Sequence, residues 1–184
     1  MAREYTILGI SGSLRRGSYN TMLLKEAAAY LPADMRFIQA NLSNIPLFNQ
    51  ELEEDHPTPV KAFGELCRAA DGALLCTPEY NWQIPGLLKN ALDWVSRPSM
   101  HVPLWGKPIA VMGATPGAYG TARAQISLRE LLFALNMDPV NKPEILLAKA
   151  DTKFSAEGKL TDPDAAELIH KLIENFVKKV RNRG

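Results

Sequence analysis

Residues 5–21 have the sequence YTILGISGSLRRGSYNT, and this segment decides the fold. Its first part, residues 5–10, is a short apolar run that is typical of a buried strand. Residues 9–21 form a loop of glycine, hydroxyl and arginine residues. A helix is predicted after the loop, over residues 20–31, because apolar side chains recur there at helical spacing and Pro32 ends the pattern. The segment thus predicts a strand, a polar loop and a helix in direct succession.

The same alternation of strand and helix continues along the chain. Further strands are predicted at residues 35–40, 72–77, 108–112 and 144–147, and further helices at residues 60–70, 86–96 and 122–135. A last helix follows Asp162, which is suited to cap it, and Pro163, which fits its first position. Residues 41–59 are polar and contain prolines, so they predict a long loop. Five strands and about five helices in strict alternation predict an α/β fold, with one parallel sheet covered by helices on both faces.

Length and composition restrict the class of protein. The 184 residues are near the usual size of one domain, so we expect a single domain over residues 1–184. Apolar residues make up 46%, and the net charge of +1 gives no general attraction to nucleic acid or membranes. No apolar run approaches the roughly 20 residues that span a bilayer, and no leader is expected because residues 1–6 are charged and lead into a strand. These features predict a cytoplasmic protein.

Cysteine and histidine usage argues against two further kinds of site. Cys67 and Cys76 form no CxxC pair, so they are expected to be reduced thiols. The three histidines stand far apart without ligand spacing. We therefore expect no metal.

The first loop, residues 9–21, has the composition of an anion site. A helix N-terminus carries unpaired N–H groups and partial positive charge, and both attract phosphate. The loop adds side-chain donors at Ser11, Ser13, Arg15, Arg16, Ser18, Asn20 and Thr21. Gly12 and Gly17 have Walker A spacing, but Ser18 stands where that motif requires lysine, and the dinucleotide fingerprint G-x-G-x-x-G is absent. The loop therefore favours a mononucleotide phosphate such as that of FMN, and a plain helix cap with a polar turn is the alternative.

A second loop, residues 77–86, has the sequence TPEYNWQIPG and follows the third strand. In the flavodoxin-like strand order 2-1-3-4-5, the ligand crevice lies between strands 1 and 3, so the first two loops should open on the same crevice. Prolines at both ends would hold the loop rigid, and its backbone could contact the polar edge of a flavin ring. Tyr80 and Trp82 could shield the ring face or make a contact with a partner. The alternative is a proline-bounded turn whose aromatic side chains belong to the core.

A third loop, residues 113–120, has the sequence GATPGAYG and leaves the fourth strand at the same edge of the sheet. Its glycines would let backbone approach a ligand closely. An ordinary turn between strand and helix explains the loop equally well.

Together these residues resemble the NADPH-dependent FMN reductase family, and within it the bacterial quinone and chromate reductases. The resemblance is carried by GSLRRGSYN at residues 12–20, TPEYN at 77–81 and IPGLLKNALDW at 84–94, and it covers nearly the whole chain. It implies that the FMN phosphate is held by Ser13, Arg15, Ser18 and Asn20. It implies that the ring is lined by Pro78, Glu79, Tyr80 and Asn81, with Gly117 nearby. It also implies a homodimer or homotetramer, with the helix that carries Asn90, Asp93 and Trp94 at an interface.

The expected activity follows from the cofactor. NAD(P)H as co-substrate would give a hydride to the flavin, and a quinone or another flat small-molecule acceptor would then take two electrons in the same place. Azo compounds, chromate and free flavin are further possible acceptors. No residue is expected to act as nucleophile or base, so no catalytic residue is assigned. A flavodoxin-type electron carrier is the alternative, although such carriers usually have a strongly acidic face.

Overall fold

A computed structural model describes residues 3–183 and contains one parallel sheet between two layers of helices. The strands are β1 (Tyr5–Ser11), β2 (Met35–Gln39), β3 (Gly72–Cys76), β4 (Pro108–Ala114), β5 (Asp138–Pro139) and β6 (Ile145–Leu147). The α-helices are α1 (Tyr19–Ala29), α2 (Thr58–Ala69), α3 (Gly86–Val95), α4 (Ala122–Ala134) and α5 (Pro163–Arg181). Short 3₁₀ turns occur at Gln50–Glu53, Pro98–Met100 and Ala150–Thr152.

The strand order is β2-β1-β3-β4-β5, and every pair is parallel, so the predicted flavodoxin-like order 2-1-3-4-5 is confirmed. At the edge of the sheet, two short strands take the place of the single fifth strand that was predicted. β5 pairs with the start of β4, and β6, the predicted strand at residues 144–147, pairs with its end. Pro139 and Pro143 lack a backbone N–H, which explains why no continuous ladder joins the two segments.

The core lies on both faces of the sheet, because successive side chains of a strand point to opposite sides. In β3, Leu74 packs in a cluster with α1 and α5, whereas Leu75 packs in a cluster with α2, α3 and α4. The three central strands β1, β3 and β4 are buried almost throughout. They form a rigid base, and the loops at their carboxyl ends start from fixed positions.

The predicted helix limits agree with the structure except at residues 41–59. That segment contains the turn Gln50–Glu53, and α2 begins within it at Thr58. Pro59 lies in the first turn of α2, where its missing N–H would have no helical partner in any case. The predicted cap of α5 is confirmed, since the Asp162 side chain accepts the Ala165 N–H at 3.0 Å. Among the helices of the described residues, none has the length and hydropathy to cross a membrane.

Candidate functional site

Three loops meet at one cavity at the carboxyl edge of the sheet. They follow β1, β3 and β4, which are neighbours in the sheet. The cavity has a volume of about 350 Å³, within the usual range for a small-molecule site. Its walls are formed by Ser13, Arg15, Ser18, Tyr19, Asn20, Pro78, Glu79, Tyr80, Ala114, Thr115 and Pro116. A second cavity of about 310 Å³ shares Ser13, Arg15 and Tyr80 with the first.

The first loop presents unpaired donors to this cavity. Ser18 caps α1, and its Oγ accepts the Thr21 N–H at 3.3 Å, so the helix-cap interpretation holds for this residue. The N–H groups of Tyr19 and Asn20 find no acceptor among residues 3–183. Helix capping and anion binding therefore coexist here, since one N–H is satisfied and its neighbours stay available.

Arg15 is the cation at this cavity. Its guanidinium carbon lies 5.0 Å from the centre of the Tyr19 ring, a cation–π contact. Within residues 3–183 Arg15 forms no ion pair, and its side chain is exposed to solvent. Arg15 thus provides a positive charge that no carboxylate neutralises.

Asn20 lies in the wall of the cavity, but its amide is engaged elsewhere. Its Nδ2 donates to the Ala114 carbonyl oxygen and its Oδ1 accepts the Ala114 N–H, both at 2.9 Å. This pair joins the start of α1 to the end of β4. Asn20 therefore fixes the third loop against the first, and its backbone N–H is what it offers to a ligand.

The second loop contains a tight turn with unusual backbone angles. Tyr80 and Gln83 exchange two backbone hydrogen bonds of 3.0 Å, and both residues between them have positive φ, 51° at Asn81 and 69° at Trp82. A bulky residue such as tryptophan rarely adopts this conformation. Tyr80 and Trp82 are 55% and 67% exposed, which rules out the interpretation that they belong to the core.

Two residues of this loop were predicted to line the flavin ring, and the structure gives their side chains other surroundings. Asn81 is exposed and does not line the cavity. Glu79 does line it, but its carboxylate accepts the N–H groups of Arg123 and Ala124 at 3.0 Å, at the start of α4. Glu79 also pairs with the Arg123 guanidinium at 3.2 Å. Pro78 is buried, and both Pro78 and Tyr80 lie in the wall of the cavity.

The third loop contributes Ala114, Thr115 and Pro116 to the wall, and sequence reasoning had not singled these out. Gly117, which had been predicted to lie near the flavin, is outside the cavity wall. Its N–H donates to Thr115 Oγ1 at 3.2 Å, and its carbonyl oxygen accepts the Lys149 N–H at 3.1 Å. Tyr19 had also been missed, although its place between Ser18 and Asn20 was a signal that could have found it.

The helix that the resemblance places at an interface, α3, uses two of its side chains within the chain. Asn90 accepts the Phe48 N–H at 2.7 Å and donates to the Pro46 carbonyl oxygen at 2.8 Å. Trp94 is fully buried and donates to the same oxygen at 2.8 Å. These side chains hold the loop after β2 on α3, and Asp93 pairs with Lys89 at 2.6 Å on the same helix.

A separate cleft of about 300 Å³ lies at the opposite, amino-terminal edge of the sheet and is lined by several basic residues. Lys107 donates to the carbonyl oxygens of Cys67 and Arg68 in the last turn of α2, both at 2.8 Å. Burial lowers the pKa of Lys107. Cations at helix C-termini offset the partial negative charge there. Arg3, Arg68 and Arg183 form ion pairs with Asp71, Glu65 and Asp138, so the basic residues of this cleft are explained without a ligand.

Neither cysteine can take part in thiol chemistry at the cavity. Cys67 and Cys76 are fully buried free thiols. Burial raises the pKa of Cys67 to about 12 and raises that of Cys76 as well, because the thiolate is poorly solvated there. The nucleophilic thiolate form is thus disfavoured at neutral pH.

We expect that the native protein at pH 8 leaves both thiols unmodified by Ellman's reagent over several minutes. The reason is that both the raised pKa and the burial oppose attack. In guanidinium chloride, the same sample should release two equivalents of thionitrobenzoate, one for each cysteine in the sequence. Rapid release of one equivalent from the native protein would contradict the described burial.

Several known proteins are similar to this chain in sequence or in fold. Residues 5–152 match the family model described as NADPH-dependent FMN reductase. The chain is 46% identical over 175 residues to an NAD(P)H-dependent FMN reductase of Pseudomonas aeruginosa, covering 95% of this chain and 94% of the relative. It is 37% identical over 174 residues to a 2-hydroxy-1,4-benzoquinone reductase of a Burkholderia species, covering 95% of both. The solved structure of a flavoenzyme NAD(P)H:(acceptor) oxidoreductase from Paracoccus denitrificans superposes with a TM-score of 0.89 at 31% identity, covering 97% of this chain and 98% of that one.

Proposed function

Because this chain belongs to the NADPH-dependent FMN reductase family, we propose that it holds FMN in the three-loop cavity and reduces quinones with electrons from NAD(P)H. The chain is an NAD(P)H-dependent oxidoreductase of the FMN reductase and quinone reductase type. The proposal that FMN is bound here rests on the cavity of about 350 Å³. Seven of the nine residues predicted for FMN line it, and they come from two loops that are distant in sequence.

The phosphate of FMN is proposed to lie at the N-terminus of α1. The unpaired N–H groups of Tyr19 and Asn20 and the unneutralised guanidinium of Arg15 form a donor set suited to a dianion. The hydroxyls of Ser13 and Ser18 accept backbone N–H groups and keep their own protons for a ligand.

The ring of FMN is proposed to lie between the second and third loops. Pro78 and Tyr80 of the second loop and Ala114, Thr115 and Pro116 at the start of the third loop all line the cavity. When bound, FMN would supply the redox chemistry by taking a hydride from NAD(P)H and giving two electrons to the acceptor. The chain itself has to hold the flat reactants in contact, and this proximity provides a large part of the rate.

The proposed acceptors are quinones. One relative is named a 2-hydroxy-1,4-benzoquinone reductase, and others from Escherichia coli and Pseudomonas putida are named quinone reductases. Tyr80 lines the cavity and is 55% exposed, so its ring is available to a flat acceptor. Azo compounds, chromate and free flavin are proposed as further acceptors. A flavodoxin-type carrier is disfavoured, because the net charge of +1 leaves no strongly acidic composition for docking redox proteins.

We also propose that the chain functions as a homodimer or homotetramer, as the resemblance implies. The resemblance places α3 at the interface, where Asn90 and Trp94 would act by holding the loop after β2 in place. Sedimentation equilibrium of the purified protein would measure the subunit number.

The purified protein is expected to be yellow, or to become yellow when FMN is added, with a flavin absorption spectrum. Anaerobic NADPH should bleach the flavin band, and a benzoquinone should then restore it. Steady-state oxidation of NAD(P)H should proceed with the quinone alone. The need for a separate reductase would support the carrier instead, and a protein that takes up no FMN would refute the proposal. Gel filtration of the yellow protein then shows whether FMN is retained or released as a product.

A further inference from the structure

Helix α4 begins without a cap from its own sequence. The residue before it, Thr121, has φ 66° in the left-handed region, and its side chain makes no capping hydrogen bond. The first N–H groups of a helix need acceptors, and a neighbouring side chain usually supplies one. Here the acceptor is the carboxylate of Glu79, which lies 44 residues earlier in the chain and binds the N–H groups of Arg123 and Ala124 at 3.0 Å.

Arg123 extends this contact to the aromatic side chains around it. Its guanidinium carbon lies 4.4 Å from the centre of the Trp82 ring and 4.3 Å from that of the Tyr119 ring. Trp82 belongs to the second loop and Tyr119 to the third. The guanidinium, which is also paired with Glu79 at 3.2 Å, therefore joins the two loops that bound the cavity.

The turn beside Glu79 needs such support. Its two central residues, Asn81 and Trp82, both have positive φ, which is unfavourable for residues other than glycine. The turn gains a second link to α4, because the Ser127 hydroxyl donates to Gln83 Oε1 at 2.5 Å. Strained backbone of this kind persists only where surrounding contacts fix it.

We propose that Glu79 is a positioning residue, which anchors the second loop to α4 and so fixes the backbone of residues 78–83 against the flavin ring. Glu79 is 12% exposed as a side chain, and its two oxygens already accept three N–H groups. Its carboxylate therefore acts through α4 and does not bind the ring. This inference rests on the proposed function, because its consequence is the placement of bound FMN.

The test uses Glu79→Ala and Glu79→Gln in the full chain. In the protein freed of FMN, we expect amide hydrogen exchange to rise about fivefold to tenfold in Glu79→Ala at Arg123 and Ala124, as for a lost helix cap. The rise should also occur at Tyr80 and Gln83, whose N–H groups close the turn. FMN titration should show a similar rise in the apparent Kd, with a changed visible spectrum of the bound flavin. Glu79→Gln should show smaller effects. Its amide oxygen can still take the place of Glu79 Oε2 and accept both backbone N–H groups, but these bonds to a neutral acceptor are weaker and the ion pair with the Arg123 guanidinium is lost.

Asp162→Ala is the matched control. It also removes an acidic helix cap, but at α5, outside the cavity wall. It should lower stability while leaving exchange at Tyr80 and Gln83, the apparent Kd and the flavin spectrum at parental values.

The exchange measurement needs no FMN, so it separates this inference from the proposed function. Unchanged exchange at Tyr80 and Gln83 in Glu79→Ala would overturn the anchoring role, whether or not the parent binds FMN. A parent that binds no FMN would overturn the proposed function, and exchange would still decide whether Glu79 anchors the loop. If Glu79→Ala does not fold, Glu79→Gln decides, with a rise at all four amides expected and no rise contradicting the inference.

Discussion

Replacing Gly113 with alanine is expected to lower the free energy of unfolding by about 3 kcal/mol, because a side chain here overpacks the core. Gly113 is buried near the end of β4. An added Cβ would lie 1.9 Å from Thr121 Oγ1 and 2.6 Å from the Thr77 carbonyl oxygen. The second of these atoms is backbone of the second loop and cannot rotate away. For a chain of this size, the melting temperature should fall by roughly 6–12 °C in a thermal melt.

Gly117→Ala is the control for this prediction, since it makes the same change four residues later. A Cβ at Gly117 would come no closer than 3.5 Å to Thr115, and the backbone there does not require glycine. Its free energy of unfolding should stay within about 0.5 kcal/mol of the parent. If the two variants melted together, the close packing around Gly113 would be wrong.

Arg15→Ala is expected to raise the apparent Kd for FMN roughly 10- to 100-fold, because a charge-assisted hydrogen bond to phosphate is lost. Arg15 forms no ion pair within residues 3–183, so its removal leaves no carboxylate unpaired, and folding should be little affected. Quenching of FMN fluorescence by the FMN-free protein measures the affinity. The difference from the parent should shrink at high salt, because salt screens the exposed charge.

Arg16→Ala separates the position of Arg15 from charge alone. Arg16 is equally cationic and exposed, but it does not line the 350 Å³ cavity. Its apparent Kd should stay within about twofold of the parent, since an exposed charge at a distance contributes little. Equal effects of the two substitutions would mean that the loop attracts FMN only by its net charge.

Much of the fold was readable from local patterns. The run of apolar residues in β3 predicts a buried strand. Pro32 and Pro78 indicate where the first helix and this strand end, and the alternation of such elements predicts a doubly wound sheet. The sheet topology then brings the carboxyl ends of β1 and β3 together. This is why Ser13, Arg15 and Ser18 could be grouped with Pro78 and Tyr80 from the sequence, and the structure places all of them around one cavity.

What the sequence did not reveal depends on contacts between distant segments. No local signal shows that Glu79 caps a helix 44 residues later or that the Asn20 amide pairs with Ala114. The left-handed conformation of Trp82 runs against the preference of bulky residues, so turn propensities would reject it. β5 could not be predicted from the sequence, because it is two residues long and contains a proline.

The division of the edge strand into β5 and β6 affects the tendency of the protein to aggregate at high concentration. An exposed sheet edge with a continuous row of free N–H and C=O groups can recruit another chain into an intermolecular sheet. Here Pro139 and Pro143 break that row, and each segment presents only two or three residues. This side of the molecule thus offers an incoming strand too short a ladder to start aggregation.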